Sequence, residues 1–91
     1  MTSMVNTIEE FEAYLYEEER SHATIEKYLR DVRKFYCFLQ GRNPERARVL
    51  EYKTALLERY TITSANSMLA ALNTYLRFCG MGDLCVRQYK V

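Results

Sequence analysis

Proline occurs once in this chain of 91 residues, glycine three times and tryptophan not at all. A turn-rich sheet protein needs more of the first two, so their scarcity favours helices. The three cysteines, Cys37, Cys79 and Cys85, are odd in number and form no C-x-x-C pair. That argues against a disulfide framework and a zinc cage, and it fits a reducing compartment. No apolar run approaches the roughly 18 residues of a membrane span. The N-terminus MTSMVNTIEE lacks the basic start and apolar centre of a secretory signal. The chain is therefore expected to be soluble and cytoplasmic. No Gly-rich phosphate loop and no metal-ligand spacing is present, so neither cofactor nor metal is expected. What is there is 48% hydrophobic and 13% aromatic residues. A chain of this length buries roughly 60 to 65% of its unfolded surface, enough for one domain with one modest core.

The net charge of +1 hides a division along the chain. Residues 1–19 hold six Glu and no Lys or Arg, whereas residues 20–48 hold eight Lys or Arg against Glu26, Asp31 and Glu45. Segregation of this kind points to a polyanion partner on one side. It has a structural alternative, in which an acidic first helix pairs with a basic second one.

The stretch SHATIEKYLRDVRKFYCFL, residues 21–39, organises the rest. On a helix of 3.6 residues per turn, Ile25, Tyr28, Leu29, Val32, Tyr36 and Leu39 fall on one side and form a core stripe. Thr24, Lys27, Arg30, Asp31 and Lys34 occupy the flanks and far side. Ser21 is the expected N-cap and Gly41 the expected stop. The first helix is expected to begin at Asn6 or Thr7, with Glu9 or Glu10 completing a capping box, and to bury Ile8, Phe11, Leu15 and the margin of Tyr14. Asn43 followed by Pro44 marks the start of a third helix running to about Tyr60, with Val49, Tyr52, Leu56, Leu57 and Tyr60 on its core face. A fourth helix starts near Ser64, buries Met68, Leu69, Leu72, Tyr75, Leu76 and Cys79, and ends at Gly80. Helices of these lengths are marginal alone, so their stripes must be buried against one another. The tail LCVRQYKV alternates polar and apolar residues without a partner strand. It reads as a linker, residues 84–91, leading from a domain of residues 1–83.

Two runs carry a resemblance to a known family. They are Ser21-x-x-Thr24-x-x-x-Tyr28-x-x-Asp31-Val32-x-x-Phe35-x-x-Phe38-Leu39 and Ser64-Ala65-Asn66-x-Met68-Leu69-x-Ala71-Leu72-Asn73-x-Tyr75-Leu76-x-Phe78. With the short Gly-containing turn and basic segment that follow, they resemble the N-terminal core-binding, or SAM-like, domain of tyrosine recombinases of the phage integrase class. The resemblance implies an all-α fold, a four-helix bundle that covers one face of duplex DNA while a separate C-terminal catalytic domain closes over the other. It further implies that the second and fourth helices face the DNA. Carried over position by position, the DNA-binding candidates are Thr24, Lys27, Tyr28, Ser64, Ala65 and Asn66, with Lys34, Asn73 and Arg77 behind them.

The physical chemistry of these positions agrees with such a role. A helix N-terminus offers free amides and a positive dipole end to phosphate oxygens. Asn66 is the candidate base reader, since an Asn amide pairs adenine with two bonds and discriminates by about 1 to 3 kcal/mol. Plain alternatives stand beside each candidate. Thr24 and Ser64 also serve as caps, Lys27 and Lys34 as solvated charges, and Tyr28 as a core residue. Asp31 would repel phosphate and is expected to bond within the domain. The function implied is that of the DNA-binding domain of a site-specific recombinase that integrates or excises a mobile element, bacterial or phage-encoded. Its partners would be double-stranded DNA, the catalytic domain of the same polypeptide and other recombinase protomers on DNA.

The chain itself is not expected to be an enzyme. The family's catalytic Arg, His-x-x-Arg and Tyr belong to the domain expected beyond Val91, and His22 is followed three residues on by Ile25, not Arg. On this reading the chain is a piece of a longer recombinase. The rival reading is a small helical protein-protein interaction module that uses its acidic and basic helices as complementary surfaces.

Overall fold

Four helix-periodic stretches fold as four helices in a computed structural model that describes residues 4–91, with side chains from residue 7 onward. They are α1 (Met4–Glu17), α2 (His22–Leu39), α3 (Arg46–Leu56) and α4 (Ile62–Phe78), followed by one 3₁₀ turn, Gly82–Leu84. No strand occurs among the described residues, and the fold is all-α.

The buried residues sit at the helical spacings. Ile8, Phe11 and Leu15 come from α1, Val49, Tyr52 and Leu56 from α3, and Met68, Leu69, Leu72, Tyr75 and Leu76 from α4. Helix α2 departs from its expected stripe. Phe35 is fully buried and Asp31 nearly so, while Tyr28 and Tyr36 are only half-buried. The reason is that α2 is covered on more than one side. Its Phe35 and Phe38 rings lie 5.2 Å from Tyr52 of α3, while Lys27 and Tyr36 reach α4.

Two of those contacts fix how α2 and α4 lie together. Lys27 Nζ donates to the Ser67 carbonyl at 3.2 Å, and the Tyr36 and Tyr75 hydroxyls meet at 2.8 Å. Both partners advance along the sequence in the same sense, but a third tie runs in the opposite one, from Lys34 of α2 to Tyr60 just ahead of α4, so the two helices cross. Helix α1 closes over the far half of α4, where Phe11 packs on Tyr75 at 5.2 Å and on Phe78 at 5.4 Å.

Several boundaries differ from expectation. Helix α1 begins at Met4, so Asn6 and Thr7 lie inside it, and the Asn6 side chain is outside the described ones. Ser21 does cap α2, its Oγ accepting from the Thr24 amide at 3.2 Å, but the stop comes at Gln40, which is left-handed at φ 49° just ahead of Gly41 at φ 84°. Helix α3 starts at Arg46, behind a Glu45 cap that makes no side-chain bond, and not at Asn43-Pro44. It ends at Leu56 because the next amides tighten to carbonyls three residues back, Glu58 to Ala55 and Arg59 to Leu56. Leu57 is left exposed. Helix α4 is capped by Thr61, whose Oγ1 accepts from the Ser64 amide at 3.2 Å, two residues before the expected start. Gly80, at φ 76°, ends it as expected, with the Met81 amide reaching back to Leu76.

Residues 84–91 form no strand, yet they do not stand away from the domain. They run along α3 and α4, with Val86 buried and Tyr89 half-buried. The partners of this segment are side chains, which a search for a pairing strand does not reveal.

Burial raises the pKa of Tyr36, Tyr52 and Tyr75 above the ordinary 10.0; for Tyr52 the nearby Asp31 charge adds to this, for Tyr75 the Tyr36 hydroxyl. A raised tyrosine pKa stabilises the fold below pH 10 and withdraws that stability above it, since the unfolded chain ionises first. The urea midpoint is therefore expected to be lower at about pH 11 than at about pH 9, and Tyr75→Phe should flatten the fall. An equal midpoint at both pH values would refute this account.

Candidate nucleic-acid interface

The cations of α2 follow from its periodicity. Lys27, Arg30 and Lys34 are three and four residues apart, so they share the face opposite Ile25 and Val32. On α4, Ser64 and Ser67 are spaced by three and turn towards them. These residues, with Asp31, Tyr60 and Met68, line one open depression of about 310 Å³ between the two helices. A larger hollow of about 560 Å³ adjoins it between α2 and α3, and shares Lys34, Tyr60 and Met68 with it. Its floor is apolar and includes Tyr52, whose buried hydroxyl has no partner.

The cations differ in their freedom. Lys27 is only 31% exposed and forms a close ion pair with Asp31, which is 3% exposed. With its second bond to Ser67, Lys27 braces α2 against α4 and gives Asp31 the partner that a buried carboxylate requires. Arg30 is 62% exposed and its Nε lies 3.8 Å from the other Asp31 oxygen. Lys34 Nζ donates to the Tyr60 hydroxyl at 3.1 Å, and among the described residues neither it nor the exposed Arg33 has a carboxylate partner. Among the described residues no ion pair joins α1 to α2: His22 pairs with Glu26 of its own helix, and the α1 carboxylates stay open. The basic side is thus not neutralised by the acidic helix.

The remaining expected contacts are placed as follows. Thr24 lies in the first turn of α2, its Oγ1 accepting from the Ser21 hydroxyl at 2.9 Å. Tyr28 is half-buried between two cations, 5.6 Å from Arg20 and 5.7 Å from Lys27. Ser64 is exposed on the rim, and it is not the cap.

Three further candidates turn towards the protein itself. Ala65 is fully buried and its amide donates to the Thr61 carbonyl, so neither its methyl nor its N–H faces outward. Asn66 turns away from the depression. Its Nδ2 donates to the Tyr89 carbonyl at 2.9 Å and its Oδ1 accepts the Tyr89 amide at 2.6 Å. Asn73 does the same with Val86, at 2.8 and 3.1 Å. The paired bonds with which Asn66 was expected to read adenine are engaged within the chain. Arg77 is exposed but sits at the opposite end of α4 from Ser64, about 20 Å along the axis at 1.5 Å per residue. Lys27 and the two asparagines therefore do not form one continuous surface.

The sequence places Arg30 on the flank without ranking it as a contact, assigns Tyr60 to the core face of the third helix, and does not single out Ser67. The spacing of Arg30 from Lys27 and Lys34 was the available signal. Tyr60 falls beyond α3 and enters from the α3–α4 connection.

Residues 8–80 match the family described as phage integrase, N-terminal SAM-like domain. The chain belongs to that family. Comparisons with curated proteins and with solved structures gave no match. In this integrase-type domain no helix among the described residues is long and apolar enough to cross a membrane. Nor does any group of three or more His, Cys, Asp or Glu among them come together to hold a metal.

Two substitutions test the placement of this integrase-type domain's residues. Ala65→Leu is expected to destabilise by about 1 to 3 kcal/mol through overpacking, where a surface position would tolerate it. Lys27→Met should cost about 3 to 5 kcal/mol by stranding Asp31, and the double variant Lys27→Met/Asp31→Leu should regain much of the loss. Additive losses in urea denaturation would show that the pair is not coupled.

Proposed function

We propose that this chain is the DNA-binding part of a site-specific tyrosine recombinase and that it lays the depression between α2 and α4 against the sugar-phosphate edge of a duplex. The observation that carries the reading is the convergence of Arg30, Lys34 and Ser64 on one depression where α2 crosses the N-terminal half of α4. The positive dipole end of α4 at that depression favours an anion as well. The carboxylate in that depression, Asp31, is paired with Lys27. Membership of the integrase N-terminal family supports the same role.

In this reading Lys34, Arg30 and Arg33 neutralise phosphates, and Ser64 with Thr24 sets the approach of the backbone. Lys27 acts indirectly, by holding the helices in register. DNA cleavage and rejoining belong to a catalytic domain of the same polypeptide, and other protomers complete the assembly on DNA. The setting is the bacterial cytoplasm, and the outcome is integration or excision of a mobile element.

Duplex binding is expected to be weak and steeply salt dependent. Each lost phosphate contact reduces the slope of log affinity against log salt by about 0.9. Fluorescence anisotropy on a labelled duplex should show that reduction for Arg30→Ala and for Lys34→Ala, alike for all sequences. Absence of binding at low salt would overturn the reading.

A further inference from the structure

Asn66 and Asn73 are seven residues apart, which brings them to nearly the same side of α4 and separates them by about 10 Å. Val86 and Tyr89 are three residues apart, and an extended chain also spans about 10 Å in that interval. The two lengths coincide. Each asparagine donates to the carbonyl and accepts from the amide of a single tail residue, Asn73 from Val86 and Asn66 from Tyr89. This is the paired exchange that a residue in an antiparallel strand makes with its neighbour, here supplied by a side-chain amide carrying the same two groups. The orientation of both amides is fixed, since a backbone N–H donates only to the oxygen end and a carbonyl accepts only from the nitrogen end.

Helix α3 supplies the other wall of the groove. Arg46 donates to the carbonyls of Asp83 at 3.3 Å and Cys85 at 3.0 Å. Lys53 accepts the Tyr89 hydroxyl at 2.8 Å through its carbonyl and holds its ammonium 4.7 Å from the Tyr89 ring. Gln88 donates to the Asn66 carbonyl at 2.9 Å. Every polar group that α3 and α4 direct at the backbone of residues 83–89 meets a main-chain atom. Side-chain identity enters through the buried Val86, the ring and hydroxyl of Tyr89, the Gln88 amide and the Cys85 thiol, which donates to the Asn73 carbonyl at 3.5 Å.

We infer that α3 and α4 form a recognition site for an extended peptide, clamped at two main-chain points three residues apart, and that residues 86–89 are its occupant in this chain. The ligand class is an extended segment with a β-branched apolar residue followed three positions later by tyrosine. Asn66 and Asn73 are positioning residues for that segment.

The geometry sets a hydrogen-exchange pattern that burial alone or a regular strand would not produce. In the full chain the amides of Val86 and Tyr89 should exchange at least about 100-fold more slowly than open chain, while those of Arg87 and Gln88 between them stay fast. Asn73→Ala should release Val86 and Asn66→Ala should release Tyr89, each by at least about tenfold, with the α4 amides still protected as the control for folding. Fast exchange of Val86 and Tyr89 in the parent protein would overturn the inference without any variant. To test the site in trans, Val86→Asp/Tyr89→Ala should free the groove of the full chain. A synthetic peptide of residues 84–91 should then shift the side-chain amide signals of Asn66 and Asn73 saturably, at about millimolar concentration because the tether no longer supplies it. Unshifted signals at saturating peptide would refute the site. No nucleic acid enters these measurements, so their outcome is separate from that of DNA binding.

Discussion

The contact between α2 and α4 is the constraint to which the other elements are fitted, because it joins two crossing helices and anchors them at two separate places with polar groups. At one, Asp31 is buried with Lys27, which also bonds the Ser67 carbonyl. At the other the Tyr36 and Tyr75 hydroxyls meet. An apolar seam of Ile25, Val32, Leu69 and Leu72 would tolerate sliding by a turn, since one hydrophobic side chain replaces another with little loss. A buried carboxylate tolerates no such slip, because its partner must follow it. Register here is set by a few polar atoms, and the bulk of the stabilisation comes from the apolar residues around them.

That arrangement shapes the electrostatics. Helices joined by a short turn, such as α1 and α2, pack without pairing their charges, so the acidic segment and the basic one remain distinct surfaces. Helix α1 instead meets α4 through rings: Phe11, Tyr14, Tyr75 and Phe78 stack and tilt at centroid separations of 5.0 to 6.4 Å. Aromatic contacts of this kind hold a helix in place without drawing on its charged face. Glu9, Glu10 and Glu17 of α1 and Arg30, Arg33 and Lys34 of α2 are left exposed.

Helix α4 serves three neighbours at once. Its apolar residues enter the core, Ser64 and Ser67 face the cations of α2, and Asn66 and Asn73 hold the tail. Polar residues on a central helix are costly unless each finds a partner, and the half-buried Asn66, Asn73 and Thr74 do. Small residues at Ala65 and Ala71, both fully buried, let the neighbouring segments approach.

Much of this was legible in the chain as written. The all-α class, the number of helices, most of the buried residues and the Ser21 cap follow from periodicity and capping chemistry, which are local properties. The resemblance that named the family rested on the same two patterned runs. Helix starts were less legible at Arg46 and Ile62, because Asn43-Pro44 and Ser64 offer local signals as good as those the fold uses. What the sequence alone could not decide is the direction in which a polar side chain points once helices pack. Asn66 and Ser67 are adjacent in sequence and face different neighbours, since successive residues on a helix are turned by about 100°. Which of them meets a cation and which meets the tail depends on where α2, α3 and residues 84–91 come to rest. That is settled by the joint burial of all four apolar stripes, and no single stretch of the chain contains it.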